Sequence, residues 1–206
     1  MKVLLINGSP HEKGCTYTAL SLIAGELKAQ GIDTEILHVG GQPGGGCIGC
    51  GGCRSGNGCV FGGVVNEAIE KAKTADAFVF GSPVHYASAA GNMASFMDRL
   101  AYAGGKYLAY KPAAICCSAR RAGTTSTLDQ LVKYPQFVHM PLVNGSSWAM
   151  VHGSTPEQVL QDAEGCAVMQ ELGRNMAWLL RCIEAGKAAG IDHPQNPPRP
   201  MTNFIR

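Results

Sequence analysis

Charge is scarce in this chain, and no segment concentrates it. Asp, Glu, Lys and Arg make up 16% of the 206 residues, and the formal net charge is +2. The sequence has no block of Lys and Arg that could follow a phosphate backbone, so a nucleic-acid partner is not expected. Hydrophobic residues make up 46%, which excludes a disordered or collagen-like chain and predicts one domain with a full core.

Long hydrophobic runs are also missing. The apolar run Val3 to Ile6 is followed by Asn7 and Gly8, and it is far too short for a signal peptide or a membrane span. The nine cysteines are an odd number, and four of them lie too close together to pair without strain. We therefore expect a soluble, cytoplasmic protein with reduced thiols and no membrane partner.

Short apolar runs alternate with segments of helical periodicity. Strands are predicted near residues 3–6, 35–39, 77–81 and 113–117, with a weaker one at 142–143 or 148–151. Helices are predicted from Thr16, over 64–73, 91–100 and 124–134, and in one long helix that begins at Thr155-Pro156. This alternation predicts a doubly wound α/β fold with a parallel sheet. The expected domain is 1–189, followed by a proline-rich arm at 190–206.

The first strand is followed by a small polar loop at residues 8–16 that opens the first helix. It does not match the Walker pattern, which needs Gly followed by Lys, because Lys13 precedes Gly14. It does not match the dinucleotide-binding fingerprint either, because Ser9-Pro10 stands where Gly-x-Gly has its second glycine. A helix N-terminus flanked by the hydroxyls of Ser9 and Thr16 suits a terminal phosphate. The alternative is an ordinary turn and helix cap.

Two further loops, 81–91 and 118–125, follow the next two strands of the predicted sheet core. In the first, His85 and Tyr86 can line a flat ring, and small residues leave it space. In the second, two arginines precede Gly123 and two threonines. Because ligands of such folds bind at the carboxyl ends of the strands, the three loops together predict one binding site.

Four cysteines, Cys47, Cys50, Cys53 and Cys59, lie in the glycine-rich insert 40–62. Their spacing is compatible with an iron–sulfur cluster. Two alternatives are a structural zinc site, which usually has two separated Cys-x-x-Cys pairs, and a surface loop of unmodified thiols.

The segments GSPHEKGCT and GSPVHYASAAGNMASFMDR resemble the NADPH-dependent FMN reductases of the flavodoxin-like superfamily, over most of residues 1–134. The cysteine insert lies where the iron–sulfur flavoprotein branch of that group holds its cluster. The resemblance implies a flavodoxin-like five-stranded parallel sheet with helices on both faces. This chain departs from the group at Cys15, where asparagine is usual, and at Gly62-Gly63, where acidic residues are common.

Position by position, the resemblance implies three groups of FMN contacts. The phosphate would be held by Ser9, His11, Cys15 and Thr16. The isoalloxazine ring would be lined by Pro83, Val84, His85, Tyr86 and Gly91. The other side would be closed by Ser118, Arg120, Gly123, Thr124 and Thr125.

The resemblance implies an FMN-dependent oxidoreductase that takes hydride from NAD(P)H and passes electrons to a small-molecule acceptor, such as a quinone, flavin, nitro or azo compound. Because the flavin performs the chemistry, no catalytic side chain is expected. The alternative is an iron–sulfur flavoprotein that relays single electrons through a [4Fe–4S] cluster on Cys47, Cys50, Cys53 and Cys59. Apolar and aromatic surface predicts a homodimer or a higher homo-oligomer.

Overall fold

The apolar runs that were predicted to be strands form the strands of the sheet. A computed structural model describes residues 1–42, 44–198, 200 and 202. Its strands are β1 (Lys2–Asn7), β2 (Asp33–His38), β3 (Ala77–His85), β4 (Ser88–Ala89), β5 (Ala113–Ala119) and β6 (Met150–His152).

Helices follow the strands in alternation. They are α1 (Cys15–Ala29), α2 (Val64–Thr74), α3 (Gly91–Leu108), α4 (Thr124–Phe137), α5 (Pro156–Val159) and α6 (Ala163–Ala188). One turn of 3₁₀ helix, Gly52–Ser55, lies within the cysteine insert.

Five of the strands are arranged in the order β2-β1-β3-β5-β6, and all four neighbouring pairs are parallel. This is the flavodoxin-like order, in which the chain adds strands first on one side of β1 and then on the other, so that the switch point lies between β1 and β3. The predicted five-stranded parallel sheet is confirmed. The short β4 is an addition to it and pairs with β3 in antiparallel fashion.

Alternate residues of β1 belong to two cores on opposite faces of the sheet. Val3 and Leu5 pack in the core that contains the buried stripes of α1 and α6. Leu4 and Ile6 pack in the core that α2, α3 and α4 cover. Side chains of a strand point alternately to its two faces, so a continuous apolar run is what a strand covered on both sides requires.

Three predicted elements have different bounds. The single long helix predicted from Thr155-Pro156 is instead the short α5 and, after a break at residues 160–162, α6. Asp162 causes the restart, because its carboxylate caps α6 by accepting from Gly165 N–H at 3.0 Å. The segment 81–91 is not wholly a loop, since β3 continues to His85. The helix predicted at 91–100 continues to Leu108.

The predicted proline-rich arm, 190–206, lies partly outside the described residues. In its described part, the His193 ring stacks on Tyr110 with centroids 4.4 Å apart. Tyr102 is 74% exposed on α3, and the homo-oligomer expected from such surface stays a prediction. Among the described residues, no helix is long and apolar enough to cross a membrane.

A glycine sets the close approach of α6 to α1, which leads to a stability prediction. A Cβ at Gly173 would lie 2.7 Å from Glu26 Cβ and 2.8 Å from Ile23 O. We expect Gly173→Ala to lower the free energy of unfolding by about 1–3 kcal/mol, because backbone must move to relieve the overlap. Urea unfolding measures this change.

The matched control is Gly25→Ala on α1. A Cβ there meets no atom within 4 Å, so the gain in helix propensity acts alone. We expect this variant to be more stable than the wild type by about 0.5–1 kcal/mol. Equal effects of the two substitutions would contradict the packing assigned to Gly173.

Candidate functional site

Three loops lie side by side because they follow three neighbouring parallel strands. β1 pairs with β3, and β3 pairs with β5, so their carboxyl ends share one edge of the sheet. A backbone hydrogen bond, 2.9 Å from Gly8 N to Gly81 O, joins the first two loops directly. The predicted arrangement of the loops at one edge is therefore what the fold produces.

Buried polar groups shape the first loop. The Asn7 side chain, fully buried, accepts from Ser9 N–H at 3.1 Å and donates to Glu12 O at 2.8 Å. Ser9 Oγ accepts from His11 N–H at 3.1 Å. The His38 ring also reaches this loop, with Nε2 at 2.7 Å from Ser9 O, and this nitrogen is the donor because a carbonyl only accepts. Sequence reasoning missed Asn7 and His38.

The N-terminus of α1 has no side-chain cap. Its N-cap residue is Gly14, which has no side chain that could cap the helix. These groups are left without intrahelical partners in any α-helix, and they carry the positive end of the helix dipole. The loop therefore presents backbone donors and partial positive charge at its centre, which suits an anion.

One hydroxyl pair connects the first loop with the third. Thr16 Oγ1 and Ser118 Oγ lie 2.8 Å apart, and both residues are buried. Predicted residues nearer the rim are open, since His11, Arg120 and Thr125 are exposed. Thr124 is buried in the first turn of α4.

Cys15 makes a contact that the sequence did not predict. Its Sγ lies 3.6 Å from Gly153 O, in a fourth loop that follows β6. Burial, as the largest cause, raises the pKa of the Cys15 thiol, so the thiol stays neutral at the first position of α1. A neutral donor beside the first loop would not repel an anion.

The second loop is a β-hairpin. Val84 pairs with Ala89 and His85 with Ser88, which leaves a two-residue turn of Tyr86 and Ala87. Both have positive φ, 52° and 58°, as a type I′ turn requires. Neither residue is Gly, Asn or Asp, so the turn is strained, at about 1–3 kcal/mol for each residue. The Tyr86 side chain is fully exposed, Pro83 and Val84 are half-buried, and Gly91 begins α3.

The start of α4 holds this hairpin in place. Ser126 Oγ donates to Ala87 O at 2.7 Å. Gln130 Oε1 accepts from Ser88 Oγ at 2.6 Å and from Ala89 N–H at 2.8 Å. Gly123, with φ 86°, lets the two backbones meet, since a Cβ there would lie 2.7 Å from Ala87 Cα. Ser126 and Gln130 were not predicted, because no local motif marks a residue that acts through a distant turn.

The four cysteines line one cavity of about 190 Å³, beside Arg99 and Tyr102 of α3. Arg99 Nε donates to Cys59 Sγ at 3.3 Å, and its Nη2 donates to Gly62 O at 2.9 Å. Two helical turns earlier, Asn92 Nδ2 donates to Gly40 O at 3.0 Å. One face of α3 thus holds both ends of the cysteine insert, and the same helix begins at the hairpin.

The cysteines share this cavity without meeting at one point. In the described part of the chain, no three Cys, His, Asp or Glu side chains are grouped so that they could hold a metal ion. A tetrahedral zinc site needs four ligands at about 2.0–2.3 Å from one ion and a [4Fe–4S] cluster needs four thiolates, so this spread of the thiols does not distinguish the two. Four thiols around one cavity do match a cluster in number, since a [4Fe–4S] cluster takes four cysteine ligands.

Gln130 generates a prediction for the hairpin. Gln130→Leu removes the acceptor of two hydrogen bonds and leaves the buried Ala89 N–H unpaired. We expect the free energy of unfolding to fall by about 1–3 kcal/mol. Thermal and urea unfolding measure it.

The control for this variant is Gln136→Leu, at an exposed position of the same helix. It should change stability by no more than about 0.5 kcal/mol. A Gln130→Leu protein as stable as the control would mean that the hairpin does not depend on this side chain.

Comparison with known proteins identifies a family and a shared fold. Residues 1–155 match a family model described as NADPH-dependent FMN reductase. An iron–sulfur flavoprotein of Methanocaldococcus jannaschii is 27% identical over 192 residues, which cover 89% of this chain and 100% of that protein. One from Archaeoglobus fulgidus is 35% identical over 99 residues, which are 48% of each chain.

Solved structures share the fold. A flavone reductase has a TM-score of 0.67 at 18% identity, with 89% of this chain and 64% of that chain covered. The apo form of an NADH:FMN oxidoreductase (EMOB) has a TM-score of 0.65 at 15% identity, with 86% and 89% covered. At these identities the likeness concerns the fold alone.

Proposed function

Because the chain belongs to the NADPH-dependent FMN reductase family, we propose that it accepts hydride from NAD(P)H on bound FMN and passes electrons to a small-molecule acceptor. Membership of this family already makes the protein an FMN-dependent oxidoreductase. The observation that carries the proposal is the uncapped N-terminus of α1, beside the hairpin and the third loop.

The residues present fit FMN. A phosphate at Gly14 would meet the free N–H groups of α1, with the hydroxyls of Ser9 and Thr16 beside it. The Tyr86 hairpin would lie against the ring on one side, and the segment 118–125 would close the other. When bound, the flavin supplies the hydride chemistry itself.

The protein's own contribution is to bind, orient and polarise. Backbone N–H groups near residues 84–86 and 118–120 would stabilise negative charge on the ring, helped by the exposed Arg120 guanidinium. The buried thiols of Cys116 and Cys117 take no part as nucleophiles, since burial raises the pKa of Cys117 to about 12 and that of Cys116 further. No catalytic side chain is proposed. Quinones, flavins, nitro and azo compounds are the acceptors to test.

The phosphate loop can be tested by comparing FMN with riboflavin. Thr16→Ala removes a hydroxyl near the proposed phosphate and should weaken FMN binding by about 1–2 kcal/mol, the range for a hydrogen bond to a charged group. Riboflavin has no phosphate, so its affinity should not change. Titration calorimetry or quenching of flavin fluorescence measures both affinities.

Ser21→Ala, on α1 but beyond the loop, is the control, and both affinities should be unaffected there. Wild-type protein that binds riboflavin as tightly as FMN would show that the phosphate loop is wrongly assigned.

We propose as a second candidate that the insert holds a [4Fe–4S] cluster and relays single electrons. Two observations favour it: the four cysteines line one cavity, and relatives that match the chain are iron–sulfur flavoproteins. Arg99 would donate a hydrogen bond to the Cys59 ligand, and such bonds to the ligating sulfur tune a cluster's potential.

Anaerobic reconstitution tests the cluster. We expect about four irons and four acid-labile sulfides per chain, since each cysteine would ligate one iron of a [4Fe–4S] cluster. Cys50→Ser should lower both contents, while Cys182→Ser, at an exposed cysteine of α6, should not. If the wild type binds much less iron than one cluster per chain, and Cys50→Ser binds the same amount, the cluster proposal is wrong and only the FMN reductase remains.

A further inference from the structure

A larger cavity, of about 520 Å³, lies at the outer edge of the sheet. Leu128 and Val132 of α4 and Leu172 of α6 give it apolar walls, and Trp148 stands at its rim with 69% of its surface exposed. None of its lining residues belongs to the three loops or to the cysteine insert. Its volume is within the range typical of ligand sites.

One residue of β5 presents its backbone N–H and C=O to this cavity with no partner among the described residues. On the outer side of β5, Ala113 N–H donates to Pro141 O at 2.8 Å and Cys117 N–H donates to Ala149 O at 3.0 Å. Alternate residues of a strand bond to the same side, so the N–H and C=O of Ile115 point outward between them. Within the described chain, no hydrogen bond is formed by either group of Ile115 on that side.

The edge of β5 is open at Ile115 because residues 144–148, which would otherwise pair there, leave the sheet. Hydrogen bonds hold these residues on α6 instead. Glu171 Oε2 accepts from Ser146 N–H at 2.8 Å and from Ser146 Oγ at 2.6 Å. Asn175 Nδ2 donates to Asn144 O at 2.8 Å. These bonds hold the edge open. The backbone donor and acceptor of Ile115 are therefore left unpaired beside the apolar side chains of Leu128, Val132 and Leu172, where they can bind a ligand.

The size of the gap determines what could fill it. The sheet edge is occupied on both sides of Ile115, by Pro141–Val143 pairing at Ala113 and by Ala149 at Cys117. An added peptide strand needs a continuous edge, so it could not extend past one residue here. No lysine or arginine lines the cavity, and Asp129 does, which disfavours an anion.

We propose that this cavity binds an uncharged planar heterocycle that has a hydrogen-bond donor next to an acceptor, such as a nucleobase or a lactam. The donor and acceptor edge would pair with the C=O and N–H of Ile115. The ring would lie between the leucine and valine side chains and the Trp148 indole, which packs well on flat rings. This site is separate from the proposed FMN site.

The direct test is an NMR titration of the ¹⁵N-labelled protein with uracil and with adenine, each compared with a methylated analogue. Uracil or adenine should shift the Ile115 amide signal, with a Kd of about 1 mM for molecules this small. 1,3-Dimethyluracil and 6-dimethylamino-9-methylpurine have no N–H donor and should bind at least five-fold more weakly. No shift at Ile115, or equal binding of the methylated analogues, would overturn the proposal.

Trp148→Ala gives a second test, with Trp178→Ala as its control. Both tryptophans are exposed, at 69% and 66%, but only Trp148 lines the cavity. Trp148→Ala should raise the Kd of the bound base at least three-fold, while Trp178→Ala should leave it unchanged. Equal losses in both variants would show non-specific stacking at the surface and would refute the site.

Discussion

The candidate site depends on backbone N–H groups at the start of α1 that the protein does not cap with a side chain. Gly14 as the N-cap residue costs only a few tenths of a kcal/mol relative to a good capping side chain, and it leaves the donors open. Asn7, Ser9 and His38 hold the preceding loop around them through hydrogen bonds. The position of this helix end at the middle of the sheet follows from the parallel strands alone.

The hairpin formed by the end of β3 and β4 is strained, and hydrogen bonds from α4 restrain it. Tyr86 and Ala87 have a backbone conformation that their side chains disfavour, and α4 offsets the cost with hydrogen bonds from Ser126 and to Gln130. From this hairpin, α3 leads to the cysteine insert, which Asn92 and Arg99 hold at its two ends. The proposed flavin site and the proposed cluster site are therefore built on one helix.

Much of the fold could be predicted because it depends on local pattern. The apolar run of β1, the alternation of strands and helices, and the loop after β1 are all visible in consecutive residues. The break at residues 160–162 was missed although its cause is local, since Asp162 is a preferred N-cap residue directly before α6. Gln130 and Arg99 could not be found from spacing, since each acts on a residue about 40 positions away in sequence. The opening at Ile115 depends on tertiary hydrogen bonds to α6, which leave no sequence motif.

The absorption spectrum of freshly purified, anaerobically handled protein tests whether the protein is a flavin oxidoreductase. We expect the visible bands of oxidised flavin with about one FMN per chain, and these bands should bleach when NADPH or NADH is added without oxygen. A broad additional absorbance would indicate a cluster as well. A colourless protein that takes up no FMN when the cofactor is supplied would show that this protein does not use flavin.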